Sequence, residues 1–419
     1  MLDRKFLREN RELVTAAVAA KRDTVDVGAY YRADGERRAC LQEYEELQAE
    51  ANRANKAIAA GRKSGADTGA DIARMKEISV RLKDLRQQAD AAEAAAETLY
   101  LRLPNVPHAS VRTGDEQDNT VVRSWGEIPA PAFAVKPHWD LGAELGIMDL
   151  EAAARMSGSG FTLLTGQGAR LERALINFML DVHLEQGYVE VNAPYLVNRE
   201  AMTGTGQLPK MEEDMYACPL DGLYLIPTAE VPVTNMHRQS TLDWERLPLK
   251  YVAFSPCFRR EAGAAGKDTR GLLRVHQFHK VEMVQFVRPG TSYETLETLT
   301  DDAEEILRRL GLPYRVVALA SGDLSFAAAK CYDLEAWAAG VGKWLEVSSC
   351  SNFEDFQARR AGIRAKGPDG AVFVHTLNGS GLALPRVLVA ILENCQTPDG
   401  RVRVPEVLRP YLGGLEHLG

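Results

Sequence analysis

The sequence predicts an α+β protein in two parts: an antiparallel α-helical hairpin first, then a domain built on a mostly antiparallel β-sheet flanked by helices. Three observations predict it. From Glu36 to Leu103 there is no proline, and the only glycines, Gly61, Gly65 and Gly69, cluster midway, which marks two long helices joined by one turn. Beyond Pro104, short β-branched runs alternate with glycine and proline punctuation and with amphipathic helices, the pattern of an antiparallel α+β domain. A chain of 419 residues, 45% of them hydrophobic, is long enough for more than one domain and excludes disordered and fibrous classes. The boundary is placed so that residues 1–105 form the arm and 106–419 the second domain.

In the arm, apolar or small residues follow a 3.5-residue repeat. Cys40, Tyr44, Leu47, Ala51, Ala54 and Ile58 form one stripe, and Met75, Ile78, Leu82, Leu85, Ala89, Ala92, Ala96 and Leu99 the other. This is a coiled-coil seam, and its alanines let the helices approach closely. About 30 residues at a 1.5 Å rise give an arm of about 45 Å. The whole chain carries 50 Lys and Arg against 58 Asp and Glu, a net charge of −8, which taken alone speaks against a nucleic-acid binder. The average hides a patch. Between Ala51 and Ala89, nine basic residues (Arg53, Lys56, Arg62, Lys63, Arg74, Lys76, Arg81, Lys83, Arg86) face four acidic ones. Such an arm fits either a dimer or partner contact, or a contact with phosphate backbones that reads no base sequence.

The first ten residues include Asp3, Arg4, Lys5, Arg8 and Glu9, so no apolar leader core is expected. The longest aliphatic run, Val387 to Leu392, is far short of a membrane span, and the expectation is a soluble cytoplasmic protein. The six cysteines are widely spaced without C-x-x-C and read as reduced, mostly packed thiols.

In the second domain, Leu171, Leu175, Phe178, Met179 and Val182 lie on one face of a helix over Ala169–Gln186, with Gly187 placed to end it; Tyr188–Pro194 then reads as a strand. Tyr251 to Phe286 reads as two strands joined by a long, basic, glycine-rich loop containing Gly263, Gly266, Lys267, Arg270, Gly271 and Arg274. Strand parity puts Arg259 with Glu261 on one face of the first strand, and Arg274, Phe278 and Glu282 on one face of the second. These are poor core material, because buried charges cost several kcal/mol unless paired. They fit either salt bridges on a solvated sheet face or a nucleotide site with arginine forks for phosphate, a ring for the base and a carboxylate for an ammonium. A third strand at Trp344–Cys350 carries Glu346 and Ser349, oxygen ligands suited to Mg²⁺ beside phosphate. His375–Arg386 reads as a strand, a flexible loop and a helix opening with Pro385, with Arg386 near its N-terminus. The common phosphate-loop and dinucleotide fingerprints do not occur.

At this point the chain resembles the bacterial-type seryl-tRNA synthetases, of the class II aminoacyl-tRNA synthetases. ARLERALINFMLDVHLEQGYVEVNAPYLV (169–197) matches the first class II motif, Phe258-Arg259-x-Glu261 with RVHQFHKVEM the second, and GLALPRVLVAILEN the third. The serine-type elements are TGTGQLPK (203–210), PTAEVPVTN (227–235), FRREAGAAGKDTRGLLRVHQF (258–278), EVSSCSNFEDFQARR (346–360) and HTLNGSGLALPR (375–386).

The resemblance implies a class II catalytic domain that activates L-serine with ATP and transfers it to the 3′-terminal adenosine of tRNA(Ser), and of tRNA(Sec) where that exists. It gives Arg259 the α-phosphate and the serine carboxylate. Glu261 and the Val275 backbone hold adenine between Phe278 and Arg386, and Arg386 also reaches the γ-phosphate. Arg260, Arg274, Val347 and Ser348 belong to the ATP-binding elements, and Ala229 to a serine-binding one. Glu282, helped by Thr228 and Glu230, takes the ammonium; Asn378 and Ser380 take the hydroxyl. Glu346 and Ser349 hold Mg²⁺ with ATP, and no zinc is expected. Thr228 with Glu230, and Asn378 with Ser380, share a face if extended. The arm is implied to bind tRNA across a homodimer, with Arg53, Lys56, Arg74, Lys76, Arg81, Lys83 and Arg86 as the candidate contacts. Arg260, His279, Gly160 and Leu384-Pro385 depart from common family residues. His276 and His279 read as sheet histidines, since no third ligand stands at metal spacing. A carrier-protein ligase, a non-catalytic relative and a resistance-conferring duplicate are the competing readings.

Overall fold

The computed structural model describes residues 1–262 and 269–419; Gly263, Gly266 and Lys267 of the glycine-rich stretch lie outside the described residues. The chain divides into two compact units, Asp3–Pro104 and Asn105–Gly419 with Met1–Leu2.

In the first unit, short helices α1 (Arg4–Glu9) and α2 (Arg11–Ala20) precede α3 (Val27–Ser64) and α4 (Gly69–Tyr100). The helix α3 starts earlier than glycine and proline spacing suggests. Asp26 caps it by accepting the Ala29 N–H at 2.8 Å, and Gly28 and Gly35 are carried inside it. Its 38 residues make it about 57 Å long. Gly65 ends it in the left-handed conformation that favours glycine. The two stripes form the seam: Ala51, Ile78, Leu85, Ala89 and Ala96 are buried between α3 and α4, and the other stripe positions are half-buried. Cross-helix ion pairs of Arg37 with Glu93, Arg74 with Glu50 and Arg81 with Glu43 flank the seam.

The second unit is organised by an eight-stranded sheet of β1 (Thr120–Trp125), β2 (Val189–Glu190), β3 (Leu249–Phe258), β4 (Gln277–Val287), β5 (Tyr314–Ala318), β6 (Lys330–Ala338), β7 (Lys343–Asn352) and β8 (His375–Ala383). Its order is β1-β5-β6-β7-β8-β4-β3-β2. Every pair is antiparallel except β2 with β3. Alternate residues decide what each face meets. One face sends Val281, Met283, Leu334, Ala336 and Leu377 into the main core, which is closed by helices α5 (Gly166–Glu185), α6 (Ser292–Leu310) and α7 (Leu384–Asn394). In α6, Leu296, Leu299, Ala303, Ile306, Leu307 and Leu310 recur at helical spacing and are all buried. Each fully buried leucine or isoleucine contributes about 2 kcal/mol. The other face carries Val284 and Phe286 into a second core with Ala229, Val233, Leu242 and Ile363, and beside it opens a cleft.

Four local expectations change. The segment after α5 forms only the two-residue strand Val189–Glu190. Arg259, Glu261 and Arg274 lie beyond the ends of β3 and β4, so strand parity does not orient them. Thr228 to Glu230 is not extended but opens the short helix Glu230–Asn235, Ala229 being already helical. The expected flexible loop at Asn378–Ser380 is strand β8, paired with both β7 and β4.

Candidate functional site

The cleft has a volume of about 460 Å³. On its floor, β4 sends Phe278, Lys280 and Glu282 inward at two-residue spacing, while Val281 and Met283 point into the core. Ser380 stands opposite Glu282 and Asn378 opposite Val284, so β8 adds both polar side chains to the same face. Arg259 leaves the end of β3, its backbone N–H held by His276 O at 2.9 Å and its guanidinium 5.2 Å from the Phe278 ring centre. Glu261 adopts a positive φ of 54°, a strained conformation for a residue with a Cβ, and its carboxylate takes the Arg274 guanidinium. At the other wall, Arg386 in the first turn of α7 donates to Leu273 O at 3.3 Å, to Glu346 O at 2.7 Å and to the Glu346 carboxylate at 3.2 Å.

Glu346 and Ser349 are three apart, and in a regular strand they would face opposite ways. They do not, because β7 carries a bulge. Ser349 pairs with Asp333 and Ser348 with Leu334, but Glu346 pairs with Glu335, leaving Val347 as the extra residue. Both oxygen donors therefore line the cleft. Two hard donors, with room left for phosphate and water oxygens, suit Mg²⁺ held together with a substrate rather than in a closed protein cage. Among the described residues no group of three or more His, Cys, Asp or Glu stands at metal spacing. His279 is in β4, with Nδ1 3.0 Å from Glu172, and His276 just precedes that strand and packs on Phe161. Gly160 has φ of 79°, and a Cβ there would lie 2.6 Å from the His276 ring, so the imidazole occupies the space a side chain would need.

The inner end of the cleft is polar and buried. Lys280 donates to Thr228 Oγ1 at 3.0 Å and contacts the Glu282 carboxylate, yet Glu282 Oε2 has no aligned hydrogen-bond donor among the described residues. Glu230 is pushed up to about 7, by burial first and then by Glu282, while Gln357, Lys280 and Arg259 pull it down. Burial, and then Glu346, likewise hold the Asp333 carboxyl well above its usual range. Glu230, with one oxygen held by Gln357, and Glu282, in contact with Lys280, gather buried carboxyl groups at this end, where an added cation is favoured.

The structure thus brings together Arg259, Glu261, Arg274, Val275, Phe278, Glu282, Thr228, Glu230, Glu346, Val347, Ser349, Asn378, Ser380 and Arg386 around one cavity. Three expected site residues stand apart. Arg260 is exposed, its guanidinium 5.9 Å from the Tyr216 ring centre; Ala229 is packed in the second core; and the Ser348 hydroxyl is bonded behind the wall to Ser380 O at 2.6 Å. Among the arm candidates, Arg74, Arg81 and Arg86 are ion-paired with Glu50, Glu43 and Asp90, whereas Arg53, Lys56, Lys76 and Lys83 make no ion pair among the described residues. Sequence reasoning missed Lys280, Asp333, Cys331 and Gln357. Parity with Phe278 and Glu282 could have found Lys280; nothing local marks the others.

Comparisons with known proteins agree along the chain. Residues 1–107 match the family described as Seryl-tRNA synthetase N-terminal domain, and residues 216–395 match tRNA synthetase class II core domain (G, H, P, S and T). A serine–tRNA ligase of Geobacter sulfurreducens is 53% identical over 423 residues, covering 100% of both chains. The crystal structure of seryl-tRNA synthetase from Pyrococcus horikoshii complexed with ATP is similar with a TM-score of 0.93 and 40% identity, covering 100% of this chain and 99% of that one. Cytoplasmic serine–tRNA ligase from Naegleria fowleri in complex with AMP is similar with a TM-score of 0.84 and 31% identity, over 99% and 97% of the two chains.

Proposed function

The chain belongs to the seryl-tRNA synthetase family and is an ATP-dependent serine–tRNA ligase; on that premise we propose how its cleft divides the work. The carrying observation is that one cavity holds two arginines and a ring toward its outer end, two carboxylates beside small hydroxyls at its inner end, and a third arginine, Arg259. Arg259, between the two ends, draws the serine carboxylate and the α-phosphate of ATP together, two anions that would otherwise repel. Phe278 and Arg386 sandwich the adenine, whose edge meets Glu261 and the Val275 backbone. Arg274 orients Glu261, and Arg386 reaches the outer phosphates. Glu346 and Ser349 would hold Mg²⁺ with ATP, and the ion would supply positive charge to offset that of the phosphates. Glu282, buried at the inner end beside Lys280, receives the serine ammonium with Glu230 and Thr228, while Asn378 and Ser380 meet the hydroxyl. A pocket built to bond a hydroxyl rejects alanine by leaving its own groups unpaired. The serine carboxylate oxygen displaces pyrophosphate from the α-phosphorus, and the ribose hydroxyl of tRNA(Ser), or tRNA(Sec) where present, then attacks the seryl-adenylate and releases AMP. The arm, with Arg53, Lys56, Lys76 and Lys83, holds the tRNA backbone across a homodimer in the cytoplasm; the domain division at 105 is taken on the same basis.

The test is ATP–pyrophosphate exchange driven by serine. Arg259→Ala should lower its kcat by about a thousandfold, as removal of a transition-state charge does. Near-normal exchange would remove Arg259 from the chemistry.

A further inference from the structure

Gln357 lies on the short helix Phe356–Ala361, outside the cleft, and is 1% exposed. Its amide makes three bonds. Nε2 donates to Glu230 Oε1 at 2.6 Å and to Thr205 O at 3.2 Å, while Oε1 accepts from the Thr376 hydroxyl at 2.7 Å. The orientation is fixed by chemistry, because the flipped amide would aim its oxygen at two acceptors. One turn on, Arg360 donates to Thr203 O at 3.2 Å and Leu208 O at 3.3 Å, so the same helix grips the segment that brings Thr205, Gly206 and Gln207 to the cleft.

We infer that Gln357 is a positioning residue for serine: it occupies one oxygen of Glu230, leaving the other to the substrate ammonium, and ties that carboxylate to the backbone of Thr205. This rests on the placement of serine beside Glu230 and Glu282 proposed above. A buried carboxylate with neither oxygen held would turn toward Lys280 or Arg259, the cations nearest it, and the ammonium site would lose its geometry.

The measurement is KM for serine and, separately, for ATP in pyrophosphate exchange, with Gln357→Met, Glu230→Gln and the double variant. Gln357→Met should raise KM for serine about tenfold, the loss of one bond to a charged group, while KM for ATP stays within about twofold. Because the two residues act through one contact, the double variant should be no worse than Glu230→Gln alone. Thr376→Val, which removes only the hydroxyl that locks the amide, should shift KM for serine in the same direction and keeps the test available if Gln357→Met does not fold. If Glu230→Gln raises KM for serine but Gln357→Met and Thr376→Val do not, or if the losses add, the role of Gln357 is overturned while the serine site stands. If Glu230→Gln itself leaves KM for serine unchanged, the site assignment fails.

Discussion

Replacing Glu230 with glutamine should change how the catalytic unit's stability responds to pH. Glu230 is buried, and its carboxyl is raised from 4.5 to about 7 by that burial and by Glu282, against the opposing pull of Gln357, Lys280 and Arg259. A carboxyl that binds its proton more tightly when folded stabilises the fold while protonated. The contribution is complete below about pH 4.5 and is lost as pH climbs to about 7. A rise of about 2.5 units at about 1.4 kcal/mol per unit gives about 3 kcal/mol. Glutamine keeps the shape and cannot ionise, so relative to wild type the variant should gain about 3 kcal/mol between pH 4.5 and 7.5. Urea denaturation followed by tryptophan fluorescence reads this cleanly, because Trp125, Trp139, Trp244, Trp337 and Trp344 all lie in the catalytic unit. The enzyme offers a second reading of the same titration. If the ionised form receives the ammonium, KM for serine should fall about tenfold from pH 6 to pH 8 in wild type and stay flat in the variant. A stability difference that does not move with pH would refute the buried, proton-holding carboxyl, and a flat wild-type KM would refute its role toward serine.

Deleting Ala51–Ala89 should leave serine-dependent pyrophosphate exchange intact while charging of tRNA is lost, since on the proposed division exchange uses the cleft alone and the arm supplies phosphate contacts; equal loss of both would contradict the division of labour. Glu346→Gln should raise the Mg²⁺ concentration for half-maximal exchange at least about tenfold, with KM for serine unchanged, because it weakens an oxygen donor without touching the inner pocket. An unaltered Mg²⁺ titration would remove Glu346 from the metal site.

The arm was legible because its information is local. A 3.5-residue repeat states which side of each helix is buried, and α3 and α4 bury those stripes. Residue chemistry likewise singled out Arg259, Phe278, Glu282 and Arg386, which gather in one cleft. Basic composition was a poorer guide to availability: Arg74 and Arg81 are matched by Glu50 and Glu43 on the opposing helix, neighbours that only the hairpin's register brings together.

What the sequence by itself determined is therefore the fold class, the hairpin seam, the family motifs and most of the residues that meet in the cleft. Only the tertiary structure decided how they meet. The bulge at Val347 turns Glu346 to the side of Ser349, the positive φ of Glu261 aims it past the end of β3, and Asp333 and Gln357 arrive from elements remote in the chain. Parity runs only as far as a strand stays regular, and strand pairing and buried hydrogen bonds join residues whose spacing in the chain records nothing of their contact.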